Sequence, residues 1–241
     1  VSMRYRLLGR TGLRVSEVFL GAMTFGEDGI GTGAEESRRI LDLYDEAGGN
    51  LVDTANSYAG GRSETIVGDL LRGRRDRFVV STKYTVTRDG GDPNAAGNHR
   101  KNLVLSLESS LRRLRTDHID LYWVHLWDDH TPVEETMRAL DDAVRAGKIL
   151  YVGISGAPAW VVAQANTLAD WRGWTPFAAL QAPYSLPLPR GSGRTLEPQD
   201  TAAPDRVVRG VPESRGRARQ TTSKVAIMTM SSCSRLWQCS T

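Results

Sequence analysis

Along residues 3–186 short apolar runs alternate with longer stretches that are apolar on one side only. Residues 18–20, 51–52, 78–81, 119–124, 149–154 and 177–180 are apolar nearly throughout, as strands buried on both faces are. Between them apolar residues recur at helical spacing over 35–47, where Ile40, Leu41 and Tyr44 share a face, and over 64–71, 100–114, 133–146 and 159–169. Ser63 is placed to cap the second helix, Gly147 to close the fourth and Pro158 to open the fifth. Ahead of this series, residues 5–8 and 13–16 flank Gly9-Arg-Thr-Gly12 and read as a β-hairpin.

Six strands alternating with five helices predict a parallel sheet. It is either an open doubly wound sheet or a barrel. Asp53, Lys83, His125, Ser155 and Gln181 each fall just past a predicted strand. Consecutive strands feeding polar residues to one rim suit a closed ring, so the expected fold class is α/β, a (β/α)8 TIM-barrel type. Gly29-Ile-Gly31-Thr-Gly-Ala34 fits a dinucleotide fingerprint, with Asp53 at the right distance. Its first glycine, however, lies well beyond the preceding strand, whereas the fingerprint needs a tight strand-to-helix turn. A glycine-rich loop is the better reading.

Composition narrows the class. The chain has 241 residues, 40% hydrophobic and 24% charged, enough for one large domain. No apolar run approaches the roughly 20 residues of a membrane span, and the first residues lack a signal peptide's apolar core. Both cysteines, Cys233 and Cys239, stand near the C-terminus, away from the body, so a cytoplasmic protein is expected. Residues 187–241 carry nine Lys/Arg against four Asp/Glu, a charge of +5, which leaves −2 of the total +3 for the rest. The body therefore has no basic stripe for nucleic acid.

The rim residues suit one task. Tyrosine is a poor acid near neutrality, but an ammonium beside a tyrosine favours the phenolate. A carboxylate holds such a lysine in place, and a histidine can donate a hydrogen bond to a substrate oxygen. Tyr58, Lys83, Asp53 and His125 together would deliver a proton to an oxygen that is becoming negative. The histidines show no helical metal-ligand spacing, and a serine nucleophile elbow is absent.

Several stretches resemble the aldo/keto reductase family, in its bacterial subgroup similar to potassium-channel β subunits. They are Leu8-Gly-Arg-Thr-Gly-Leu-Arg-Val-Ser16, Leu20-Gly-Ala-Met-Thr-Phe-Gly26, Asp53-Thr-Ala-Asn-Ser-Tyr58 and Ser81-Thr-Lys83. Asp117-His-Ile-Asp-Leu-Tyr-Trp-Val-His125, Gly147-Lys-Ile-Leu-Tyr-Val-Gly-Ile-Ser155 and Gln181-Ala-Pro-Tyr-Ser-Leu186 complete the set. The resemblance implies a barrel that uses NADPH to reduce a small-molecule carbonyl, with a catalytic tetrad at Asp53, Tyr58, Lys83 and His125. It further implies that Ser155 and Gln181 hold the nicotinamide carboxamide, with Gly21, Met23 and Asp53 also bordering the cofactor. Phe25, Tyr84, Trp127 and Trp160 are the aromatics expected either to line an apolar pocket or to serve as ordinary packing.

Two departures from the family qualify this picture. Gly156 stands where the family usually has Asn or Asp. After Leu186 the family pattern ends, so residues 1–186 are expected to form about six of eight barrel strands. Residues 187–241, with five of the ten prolines and one aromatic, are expected to be an unrelated disordered tail. That predicts an open edge at the sixth strand prone to self-association, and a lost grip on the cofactor's 2′-phosphate. The alternatives are a cofactor-binding regulatory module like the channel β subunits, or an inactive truncated relic.

Overall fold

In the computed structural model, residues 3–29, 31–87, 89–183 and 225–229 are described. The N-terminal hairpin pairs β1 (Tyr5–Leu7) with β2 (Arg14–Ser16), with Tyr5 opposite Ser16. Its turn depends on Gly9, at φ +58°: a Cβ there would lie 2.1 Å from the Ala178 carbonyl oxygen. Glycine thus lets the hairpin approach the backbone of a later strand. Leu8 and Val15 are buried with Leu51, Val79, Leu121, Trp123 and Ala179, so the hairpin packs on the inner face of the main sheet. Asn50 fastens it, accepting from the Ser16 amide (2.7 Å) and donating to the Arg14 carbonyl (3.0 Å).

The main sheet runs β3 (Leu20–Gly21), β4 (Leu51–Asp53), β5 (Val79–Tyr84), β6 (Ile119–Val124), β7 (Ile149–Ser155) and β8 (Phe177–Pro183). All five pairings are parallel and in chain order. The crossovers contain α1 (Ala34–Glu46), α2 (Arg62–Leu70), α3 (Arg100–Leu114), α4 (Val133–Arg145) and α5 (Ala159–Arg172). A doubly wound sheet reverses its strand order at a switch point; this one does not, and it is the curled sheet of an incomplete TIM-type barrel. A further strand, β9 (Val225–Thr229), follows β8 in the sheet order. β9 lies within the stretch expected to be an aperiodic tail. The remainder of that stretch, including both cysteines, lies outside the described residues.

Side chains alternate across each strand. Val52, Val80, Tyr122, Val124, Val152 and Ile154 pack outward against Leu41, Val67, Leu103, Leu107, Met137 and Leu140 of the helices. The intervening residues face inward, and along that face each strand turns from apolar to polar toward its C-terminus: Leu51 then Asp53, Val79 then Ser81 and Lys83, Leu121 and Trp123 then His125. This gradient puts the chemistry on one rim.

Several boundaries differ from expectation. The first strand is Leu20–Gly21 rather than 18–20, and Val18 is 59% exposed. α2 begins at Arg62 behind left-handed Gly61, so Ser63 lies inside the first turn and donates to the Ala22 carbonyl (2.6 Å) instead of capping. α4 is capped by Ala146, with Gly147 next at φ +73°. β5 and β8 run on through Lys83 and Gln181, since ladder pairing continues past the apolar runs that marked them. The loop after β3 spends its amides internally: Gly26 donates to Thr32, Thr32 to Thr24 and Gly31 to Glu27. Those amides are closed to a pyrophosphate. No helix among the described residues is long and apolar enough to cross a membrane.

Candidate active site

Asp53 ends β4 and Lys83 lies one residue before the end of β5. Asp53 pairs in register with Ser81, so Lys83 is one inward position further along its strand and its side chain meets the carboxylate. Lys83 Nζ donates to Asp53 Oδ2 (2.6 Å) and to the Thr54 carbonyl (2.7 Å), while Ser81 Oγ donates to Asp53 Oδ1 (2.5 Å). The Lys83 side chain is 1% exposed and that of Asp53 12%. Buried charges persist when paired and hydrogen-bonded, and both conditions hold here.

Tyr58 starts a short helical turn, Tyr58–Gly61, between β4 and α2. Ala59, Gly60 and Gly61 are all left-handed (φ 49°, 63° and 91°), which swings the chain from Tyr58 into α2. Two are glycine; Ala59 bears a cost of about 1–2 kcal/mol. The Tyr58 ring is half-buried, with Lys83 Nζ 4.9 Å from its centroid. His125, directly after β6, meets the same ring edge-on at 5.8 Å and 83°. Its amide donates to the Tyr84 carbonyl (3.1 Å), and its buried Nδ1 has no hydrogen-bond partner among the described residues. Burial, then the Lys83 charge, push the His125 pKa down to about 4 against the opposing pull of Asp53. The imidazole is thus neutral at neutral pH.

Of the remaining predicted residues, Gly21 is the ladder partner of Asp53 and Ser155 that of Gln181. Gln181 Nε2 stands 3.5 Å from Asp53 Oδ2, long for a hydrogen bond, which leaves its amide available to a ligand. Met23 is 59% exposed, one residue past Ala22, whose amide donates to the Asp53 carbonyl (2.8 Å). Gly156, at φ +59°, brings no polar side chain to the rim. The amide of Gln181 and the half-buried Ser155 hydroxyl on neighbouring strands suit a carboxamide. The expected aromatic lining divides: Phe25 and Tyr84 are core, Tyr84 stacking on Tyr122 at 5.4 Å, while Trp127 is half-buried and Trp160 exposed.

Sequence reasoning missed the groups that hold the site from behind. Thr54 and Thr82 are the outward neighbours of Asp53 and Lys83, and the first turn of α2 grips both. Thr54 Oγ1 lies 2.7 Å from Ser63 Oγ; since Ser63 gives its proton to the Ala22 carbonyl, Thr54 is the donor. Thr82 Oγ1 donates to Glu64 Oε1 (2.6 Å), and Glu64, fully buried, also accepts from Arg113 (2.6 Å). A threonine beside the inward polar residue at both strand ends, Asp53-Thr54 and Thr82-Lys83, was the available signal.

An unbroken parallel sheet with Asp53, Tyr58, Lys83 and His125 gathered at its C-terminal rim defines a TIM-type barrel with a half-buried, lysine-backed tyrosine facing a neutral histidine. The chain belongs to the aldo/keto reductase family, whose profile matches residues 17–200. It is 42% identical over 216 residues to norsolorinic acid reductase of Aspergillus flavus, covering 80% of this chain and 56% of that protein. It is 38% identical over 220 residues to a putative aryl-alcohol dehydrogenase of Saccharomyces cerevisiae (82% and 58%). It is 40% identical over 190 residues to an aryl-alcohol dehydrogenase [NADP(+)] of Phanerodontia chrysosporium (73% and 49%). The chain spans about half the length of these curated relatives.

Proposed function

We propose that this chain reduces an aryl aldehyde or ketone to the alcohol, with NADPH as the electron source. The observation that carries the reading is the Lys83–Asp53 pair buried beneath the Tyr58 ring. When bound, NADPH supplies the hydride that adds to the carbonyl carbon. Tyr58 gives its phenolic proton to the carbonyl oxygen as the C–O π electrons move there. The Lys83 ammonium, held by Asp53 and the Thr54 carbonyl, offsets the negative charge left on Tyr58. His125, neutral, donates its ring N–H to the same oxygen and orients it. Ser155 and Gln181 would hold the carboxamide of the cofactor, with Gly21 and Met23 at its border. The two relatives named aryl-alcohol dehydrogenases favour an aromatic substrate over a sugar.

Tyr58→Phe is expected to lower turnover of an aryl aldehyde by about 10²–10⁴-fold. Turnover unchanged by that substitution would remove Tyr58 as the proton donor. A second reading is a cofactor-binding regulatory module similar to the channel β subunits, motivated by the missing polar side chain at Gly156. Fluorescence titration with NADPH and a single-turnover test with a reactive aldehyde separate the two: bound cofactor that is never oxidised favours the module.

A further inference from the structure

The loop after β5 and the loop after β6 meet at one fully buried residue, Asn98. Its Nδ2 donates to Thr85 Oγ1 (3.1 Å) and to the Leu126 carbonyl (2.8 Å). Its Oδ1 accepts from the Asp128 amide (2.7 Å), and its own amide donates to Asp128 Oδ2. Its carbonyl accepts from the buried Tyr84 hydroxyl (3.1 Å). Asp128 in turn accepts from the amides of His130 and Thr131 and from the Thr131 hydroxyl, which fixes the far side of the lock. The residues so bound are the neighbours of the candidate chemistry: Tyr84 and Thr85 follow Lys83, and Leu126 follows His125. Thr85 is moreover held at φ +103°, a conformation a β-branched residue adopts only when its surroundings enforce it. The Gly97 amide, donating to the Thr85 carbonyl (2.9 Å), and Asn98 supply that enforcement.

We propose that Asn98 is a positioning residue for the candidate active site, bolting the end of β5 to the end of β6 so that Lys83 and His125 keep one separation across Tyr58. Asn98 touches neither substrate nor cofactor in this reading; it acts through the Thr85 hydroxyl and the Leu126 carbonyl. A plain polar loop anchor would need one or two of these bonds; here both Nδ2 hydrogens and the Oδ1 of one residue are spent on the loops that follow the two strands. The inference rests on the reductase reading for its purpose, but its geometry can be tested without turnover.

The readout is the titration of the His125 ring by NMR in the full chain, with the signal assigned by its loss in His125→Gln. Wild type is expected to titrate near pH 4. In Asn98→Ala, and in the uncharged Asn98→Ser, which is too short to reach both Thr85 and Leu126, the strand ends part and water reaches the ring. The midpoint should rise by about one unit or more toward that of an exposed histidine. Asp141→Asn is the control. Asp141 is buried and accepts from Arg145, the Thr175 amide and the Thr175 hydroxyl, so the change should lower the melting temperature while leaving the His125 midpoint in place. If Asn98→Ala does not fold, Asn98→Ser decides. A lowered melting temperature with an unmoved His125 midpoint in Asn98→Ser would make the lock merely structural and overturn the proposal. Where aryl aldehyde reduction is measurable, kcat should fall about 10²-fold, as expected for a misplacement near 1 Å, with the KM for NADPH little changed. A wild type that never oxidises NADPH would sink the reductase reading alone, since the His125 midpoint still decides the lock.

Discussion

Removing either half of the Lys83–Asp53 pair should destabilise the fold unequally, and the structure says which half matters more. Asp53→Asn leaves the Lys83 ammonium, 1% exposed, with only neutral acceptors: the Thr54 carbonyl and the new amide. Breaking a buried ion pair from one side costs about 3–5 kcal/mol. At about 2–4 °C per kcal/mol for a domain of this size, the melting temperature should drop by roughly 6–20 °C. Lys83→Met inserts an apolar chain of similar length and leaves Asp53 with the Ser81 hydroxyl at 2.5 Å and with 12% of its side chain open to water. Its cost is then that of a charged hydrogen bond, about 1.5–3 kcal/mol. The double substitution should cost less than the sum, because each single change leaves an unpaired charge that the double one removes. Urea unfolding with linear extrapolation measures all three, and an unchanged m-value keeps the comparison two-state. Asp53→Asn within about 1 kcal/mol of wild type, or Lys83→Met the costlier of the two, would refute the reasoning.

The depressed His125 pKa makes stability depend on pH. The folded chain binds fewer protons than the unfolded one between about 4 and the usual 6.5, so this contribution is complete above pH 6.5 and is lost as pH falls toward 4. It amounts to at most roughly 3 kcal/mol, and less as water reaches the half-buried ring. Urea midpoints between pH 7 and 4.5 should fall in wild type and fall less in His125→Gln; parallel curves would contradict the assignment. Gly153→Ala tests the inner packing: a Cβ there would lie 2.4 Å from the Trp123 ring, so overpacking should cost about 1–3 kcal/mol in a thermal melt.

How much of this was legible varied with how local the cause was. α3 and β6 were placed to the residue, because a long amphipathic period and a six-residue apolar run each fix their own ends. β3 was misplaced because its two residues are too few to carry a pattern, and exposed Val18 imitated one. Ser63 read as a cap, yet Gly61 in the left-handed region already supplies the helix entry and frees Ser63 to bond across to Ala22. β9 comes from Val225-Ala-Ile-Met-Thr229, a short apolar run within a stretch judged aperiodic as a whole. The inward rim residues were legible because period-2 alternation carries them to the strand ends. Asn98 and Asp128 were not: in one dimension a buried bolt and a solvated loop residue look alike, and only the meeting of two loops distinguishes them.

The site is assembled from a contiguous piece of the sheet. Asp53, Tyr58, Lys83 and His125 come from β4, the turn after it, β5 and the residue after β6, each strand paired with the next. Their geometry is set by ladder register, by the first turn of α2 behind Thr54 and Thr82, and by the Asn98–Asp128 contacts across the loops. None of these constraints involves a strand beyond β6. In the proposed reaction proton delivery is therefore a local task of this arc, whereas retention of a whole dinucleotide calls on more of a barrel's rim. The two can fail separately. A chain in which His125 still titrates near pH 4, and in which Asp53→Asn still destabilises by several kcal/mol, has this arc intact. If such a chain turned over carbonyls slowly, with a high KM for NADPH and an ordinary kcat at saturation, the deficit would lie in holding the cofactor. A low kcat at saturating NADPH would place it in the arc itself.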